Sequence, residues 1–358
     1  VRDRPGSRWT FAIGLLSALS MLSWSSGFAQ PTAAEDASAP IHVQVTAANR
    51  DAAASAQVHY HITRARTEAG ATAALNGPES LSADKLRAGR MMAMRQIARV
   101  PSPGFYPANL AFFAGLTIQS AVLHNVYLGC ADGSCWGNPL GFEKDLVKSR
   151  FIHLVDQYVG STASRRYTVG AEMPMGAVAS NCSTASMCTG GDIIAIAFAA
   201  SAVGGAGPGH IYHIFLPQGV DTCANLIGCY SPDNPAQFTF CGYHAWANAG
   251  GKTTYFTVEP YQDVPGCAVA VPGQNEQIVN STDSVLSHET FETLTDPDGD
   301  AWFNVNSLNE FEAEIGDVCQ GPPNMAGEAI VPSFAINGHL YSIQLEYSNK
   351  YRACSASP

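Results

Sequence analysis

Residues 111–358 are predicted to fold as an α/β or α+β domain, with strands and helices around one mixed sheet and disulfide staples. Three observations carry this. Short runs rich in β-branched and aromatic residues alternate with longer segments of helical period. All ten cysteines fall after residue 129, an even number that reads as disulfides in an exported chain. Hydrophobic residues are 46% of the 358 and charged ones only 14%, below the roughly 25% of an average domain, so a sizeable core is expected.

At the N-terminus, Arg2, Arg4 and Arg8 precede an apolar run from Trp9 to about Trp24, followed by Gly27-Phe28-Ala29. A basic head, a short greasy middle and a small-x-small end predict a signal peptide over 1–29, and so a secreted or periplasmic protein. Serines at 17, 20 and 23 interrupt the run, which is shorter than the ~20 residues of a membrane span; no span is expected after signal cleavage.

Residues 30–110 form an Ala-rich basic segment without cysteine, carrying 8 basic and 6 acidic side chains, against 8 and 23 in residues 111–358. His42-Val43-Gln44-Val45 and Val58-His59-Tyr60-His61-Ile62 alternate as strands do. Ser82 can cap a helix from Ala83 to Arg99, either a solvated surface helix or part of a pro-region, linker or lid on the acidic domain.

In residues 111–358, strands are predicted at Ala121–Leu128, Ile211–Leu216, Phe238–Trp246, Thr253–Val258 and Leu340–Tyr347. Helices are predicted at Phe142–Tyr158, Asp192–Val203 and Val279–Leu294. The cysteine spacing suggests the local pairs Cys130–Cys135, Cys182–Cys188, Cys241–Cys267 and Cys319–Cys354, leaving Cys223 with Cys229; spacing alone does not fix the connectivity.

The net charge of -11 argues against nucleic acid, whose phosphates demand a basic surface. Gly204–Gly209 precedes a strand and lacks the Lys-Ser/Thr of a phosphate loop, so it reads as a turn. No G-x-S-x-G elbow is present.

The sharpest motif is His288-Glu289-Thr290-Phe291-Glu292. On a helix, His288 and Glu292 lie one turn apart on one side, with Glu289 roughly 100° round. This is the arrangement of the zinc-peptidase helix H-E-x-x-H with its second His replaced by Glu: two side chains bind metal and the Glu between them takes a proton from water. His288 and Glu292 are therefore candidate ligands and Glu289 the candidate general base. A third ligand is expected from Asp298, Glu314 or Asp317. The bland alternative is a solvated acidic face, since Leu286, Phe291 and Leu294 fall opposite; against it, no Lys or Arg sits at i±3 or i±4 of either Glu. Asp296, Asp298 and Asp300 around Gly299 have the hard-oxygen character of a calcium turn, or are an ordinary turn. His244 is a weaker candidate for contact with substrate or metal, and a structural histidine is the alternative.

Tyr212–Gly219, Phe240-Cys241-Gly242-Tyr243-His244, residues 287–304, Glu314-Ile315-Gly316-Asp317 and Tyr347-Ser348-Asn349 together resemble a family of secreted bacterial proteins. That family is distantly similar to the plant phosphate-induced, exordium-like proteins. The resemblance covers about residues 111–358 and implies an extracellular domain with a zincin-like H-E-x-x-E helix followed by Thr-Asp-Pro, here Thr295-Asp296-Pro297. The plant proteins differ at the H-E-x-x-E positions, so resemblance alone does not imply catalysis.

The expectation is a secreted zinc metallopeptidase-like hydrolase acting on a peptide or cell-surface polymer. The alternative is a non-catalytic extracellular or cell-wall-associated binding protein. A carboxylate-pair glycosidase ranks third, because the helix lacks an aromatic platform beyond Trp302 and Phe303.

Overall fold

A seven-stranded mixed sheet organises the chain. The computed structural model describes residues 39–64, 109–163, 166–175, 182, 187–224, 228–269, 275–304, 314–319 and 334–358, which lie in one unit, Ser38–Pro358. The signal peptide and the helix expected at 83–99 lie outside the described residues.

The strands of this sheet are β1 (Gln57–Arg64), β2 (Ala121–Leu128), β3 (Tyr167–Val169), β4 (Met173–Met175), β5 (His210–Phe215), β6 (Phe240–Ala249) and β7 (Lys252–Glu259). Their order is β1-β6-β7-β5-β2-β3, with β4 also pairing β2. β1, β6 and β7 are antiparallel neighbours, whereas β7, β5, β2, β3 and β4 pair in parallel. β1 comes from the Ala-rich segment, so that part of residues 30–110 is built into the sheet.

The helices are α1 (Ala47–Ala54), α2 (Pro139–Leu146), α3 (Asp156–Val159), α4 (Gly190–Gly204) and α5 (Gln277–Thr295). α4 is apolar on nearly every side and is buried with Val126, Tyr212, Ile214 and Phe256 on one face of the sheet. Its start is fixed by a capping box: Asp192 N–H donates to Thr189 Oγ1 (3.2 Å) and Thr189 N–H to the Asp192 carboxylate (3.4 Å). α5 covers the other face, where Leu286, Phe291 and Leu294 join Leu123, Ile211, Phe215 and Tyr255. Each such buried side chain contributes about 1.5–3 kcal/mol.

Three expected elements differ. The run over 42–45 forms no strand among the described residues and makes only an isolated bridge from Val43 to Met175. The helix predicted over Phe142–Tyr158 is broken into α2, a 3-10 turn at Ile152–Val155 and α3. Ser149 interrupts it: its hydroxyl donates to Leu146 O (2.7 Å) and accepts from Phe151 N–H (3.1 Å), replacing helical bonds with local ones. The strand predicted over Leu340–Tyr347 is two short strands, His339–Tyr341 and Glu346–Ser348. Between them the chain passes α5, where Gln344 N–H donates to Ser284 Oγ (3.1 Å).

All ten cysteines are paired, as Cys130–Cys135, Cys182–Cys188, Cys223–Cys229, Cys241–Cys267 and Cys319–Cys354. Among the described residues, no helix is long and apolar enough to cross a membrane.

Candidate metal centre

α5 is polar by sequence, yet every residue from Asn280 to Thr295 is buried. Its hydroxyls make this possible by bonding back to the helix. Thr290 donates to Leu286 O (2.6 Å), Thr293 to Glu289 O (2.7 Å) and Thr295 to Phe291 O (2.9 Å). These bonds spare those three hydroxyls the desolvation penalty of burial, whereas the Thr282 and Ser287 hydroxyls are buried without a hydrogen bond. The acidic face that would be solvated in an ordinary amphipathic helix is instead pressed against the sheet, and Glu289 and Glu292 are both 0% exposed.

The sheet meets this face with polar residues of its own. The pairing register aligns Asn125 with His213, His213 with Thr257, Thr257 with His244 and His244 with His61. Partners directly across a ladder share a face, so a polar row crosses five strands and ends in two histidines stacked 4.7 Å apart. Gly242 on β6 lets α5 approach, because a Cβ there would come within 2.6 Å of Val285 Cγ1 and 3.2 Å of Glu289 Oε1.

A third wall comes from residues 314–319, tied down by the Cys319–Cys354 disulfide and by Tyr347 N–H donating to Ile315 O (3.0 Å). Asp317 N–H donates to Glu292 Oε1 (3.1 Å). Gly316 has no room for a side chain, since a Cβ would overlap the His288 ring. The Gln344 amide nitrogen lies 3.0 Å from His288 Nδ1 and donates to Gly316 O (2.7 Å), leaving His288 Nε2 to face the carboxylates.

Three overlapping donor groups result: His288 with Glu292 and Asp317; His244 with Glu289 and Glu292; and His61 with His244 and Glu314. His288 Nε2 lies 2.9 Å from Glu292 Oε1 and 3.7 Å from Asp317 Oδ1. His244 Nδ1 lies 3.2 Å from Glu289 Oε2 and 3.6 Å from Glu292 Oε2. His244 Nε2 lies 3.7 Å from Glu314 Oε1, and His61 Nδ1 lies 3.1 Å from Glu314 Oε2. Donors around one tetrahedral zinc, at 2.0–2.2 Å from the ion, stand about 3.3–3.6 Å from each other. The observed spacings bracket that range. His288 Nε2, His244 Nε2, Glu292 Oε2 and Glu314 Oε1 are buried and make no hydrogen bond, as expected of atoms arranged for a cation. The donor set therefore fits a divalent ion.

The electrostatics are those of a cluster rich in negative groups. Burial would lower His288, but Glu292 beside it pushes it up to about 9. Burial would raise Glu292, but His288 and His244 hold it down at about 2. Burial raises Glu289 and Glu314, with Glu292 adding to both. His244 is raised well above the usual imidazole range by Glu314, Glu289 and Glu292, against the effect of burial. The ion pairs at Glu292 and Glu314 are with histidines.

The structure thus gathers His288, Glu289, Glu292, Glu314 and Asp317, and adds His244. Asp298 goes elsewhere. The turn after α5 carries it to the Tyr255 hydroxyl, and it belongs to none of the three groups. Asp296 caps the same turn by accepting from Ala301 N–H (2.6 Å), and among the described residues no three-donor group falls on this Asp-rich turn.

His61 and Glu346 carried no signal in sequence. His61 follows the alternation of its strand, but only the register with His244 places it in the site. Glu346, 0% exposed and without a hydrogen bond on either oxygen, is raised by burial and by Glu292 and Glu289.

No family model matches the chain, and no curated protein matches it.

Proposed function

We propose that this chain is an exported metal-dependent hydrolase of zinc metallopeptidase type, cleaving peptide bonds in proteins or cell-surface polymers. The observation that carries the reading is the convergence of His288 Nε2 and Glu292 Oε1 from one turn of α5 with Asp317 Oδ1 from the loop that Cys319 anchors. Imidazole nitrogen with carboxylate oxygen favours zinc over calcium, which prefers an all-oxygen shell.

A bound divalent cation supplies Lewis acidity and makes water acidic enough to ionise near neutral pH. The chain's own part falls to Glu289. Its carboxylate, made more basic by burial, accepts a proton from water as the water oxygen bonds to the peptide carbonyl carbon, and returns it to the departing amine as the C–N bond breaks. His244 Nδ1, 3.2 Å from Glu289 Oε2, holds that carboxyl in place. His61 is the most exposed member of the cluster, at 12% of its side chain, so substrate approaches from the β1 side.

The test is hydrolysis of casein or a peptide library by the full chain with zinc present. Glu289→Gln is expected to lower the rate by about 10²–10⁴-fold, with metal content and near-UV circular dichroism unchanged. A wild-type chain that holds zinc and cleaves nothing would refute catalysis. The near-complete burial of the donors favours one second reading, a structural ion in a non-catalytic extracellular or wall-associated binding protein. On that reading Glu289→Gln leaves function unchanged.

A further inference from the structure

The donors are more numerous than one ion can use, and they divide. A single cation with bonds of about 2.0–2.2 Å cannot serve donors more than about 4.4 Å apart. His61 and Glu314 share a group with His244, while His288 and Asp317 share one with Glu292; neither of the outer pairs appears in the other's group. The residue between them is His244, whose two nitrogens look in opposite directions. Nδ1 faces Glu289 Oε2 at 3.2 Å, and Nε2 faces Glu314 Oε1 at 3.7 Å. His244 Nε2 and Glu314 Oε1 are both buried and make no hydrogen bond, although their residues are only 0% and 3% exposed.

We infer that the chain has a second cation site, formed by His61 of β1, His244 of β6 and Glu314, distinct from the site on α5. The inference rests on the metal-dependent reading above, because Glu289 takes part in both. Its carboxylate lies 3.2 Å from His244 Nδ1 and, by accepting a hydrogen bond there, would present Nε2 to a metal ion. Carboxylate, imidazole and ion in series is the usual way a protein orients a histidine ligand. Two imidazoles and one carboxylate, with further positions open, suit zinc and other divalent transition ions rather than magnesium or calcium. Gly299, in a left-handed turn (φ 71°), makes the site possible from the other side, since a Cβ there would overlap the His61 ring.

The inference also gives β1 a chemical role. Among the described residues it is an edge strand, and one of its side chains supplies a ligand, so the second site is complete only when the segment before residue 65 is paired with β6.

The experiment is a zinc count on the full disulfide-bonded chain, by equilibrium dialysis against zinc followed by elemental mass spectrometry. The expected result is two ions in the wild type, one in His61→Ala and in Glu314→Gln, and one in His288→Ala. Two different outer ligands are tested so that a misfolded variant does not decide the matter, and near-UV circular dichroism identifies any such variant. One ion in the wild type, kept by both outer variants and lost by His288→Ala, would overturn the second site and leave the proposed function standing. One ion lost by the outer variants and kept by His288→Ala would do the reverse. An ion-free wild type would sink both.

Discussion

Gly316 and Glu143 show how single residues set the chemistry. The His288 ring occupies the space a side chain at 316 would need, so Gly316→Ala must move either the imidazole or the loop that carries Asp317. Displacements of about 1 Å at a reacting centre cost on the order of 100-fold in rate. Gly316→Ala is expected to lose about that much hydrolysis while its melting temperature falls by only a few degrees; an unchanged rate would place the reacting groups elsewhere. Glu143 lies outside the metal cluster, beside His213 Nε2 (3.3 Å), and Asn125 donates to it (2.8 Å). Burial raises Glu143 to about 8 and lowers His213 to about 3. The two act with opposite sign. The Glu143 contribution is full below the ordinary carboxyl value and is lost as pH rises through about 8. That of His213 is full above the ordinary imidazole value and is lost as pH falls toward 3. Urea unfolding between pH 5 and 8.5 is therefore expected to show a shallower alkaline decline in Glu143→Gln than in the wild type. Equal slopes in the two proteins would mean that Glu143 is ionised throughout.

At the scale of elements, α5 does two jobs with one set of residues. The side bearing His288, Glu289 and Glu292 faces donors from the sheet, while Phe291 on the other side packs on Phe151 with ring centroids 4.7 Å apart. Phe291→Ala is expected to cost about 3–5 kcal/mol by chemical denaturation, with zinc affinity nearly unchanged in the protein that remains folded. A large loss of affinity at intact stability would show that the helix is positioned by its core side more tightly than its back-bonded hydroxyls suggest. This double use explains what sequence could and could not reveal. The H-E-x-x-E spacing is a property of one helix, so it was readable from five consecutive residues. The disulfide pairs were readable because most partners are close in sequence. His61 was not, because its role depends on β1 pairing with β6 in one register, and a slip of one residue would turn it to the opposite face. The breaks at Ser149 and Gln344 were hidden for a related reason: a serine turning onto its own backbone, and a glutamine drawn to α5, outweighed the local propensities around them.

For the molecule as a whole, the loop bearing Glu314 and Asp317 is the weakest part of the design, because described residues 314–319 contain only one short 3-10 turn, Asp317–Cys319. What fixes it is long-range: the disulfide from Cys319 to Cys354, spanning 35 residues, and the backbone bond from Tyr347 to Ile315. Closing a loop of that length removes about 4 kcal/mol of chain entropy from the unfolded state, against about 2 kcal/mol for the five-residue Cys130–Cys135 loop. Stability alone would thus separate the two bridges by only about 2 kcal/mol, but the metal centre should separate them further. Replacing Cys319 and Cys354 together by Ser frees a segment that supplies a ligand to each proposed ion, whereas replacing Cys130 and Cys135 touches neither. Zinc affinity measured by competition with a chelator is expected to fall at least tenfold in the first double variant and to stay within twofold of wild type in the second. Equal losses in both would mean that the bridges act only through global stability, and that the loop is held in place by Gln344 and the Glu292–Asp317 contact without covalent help.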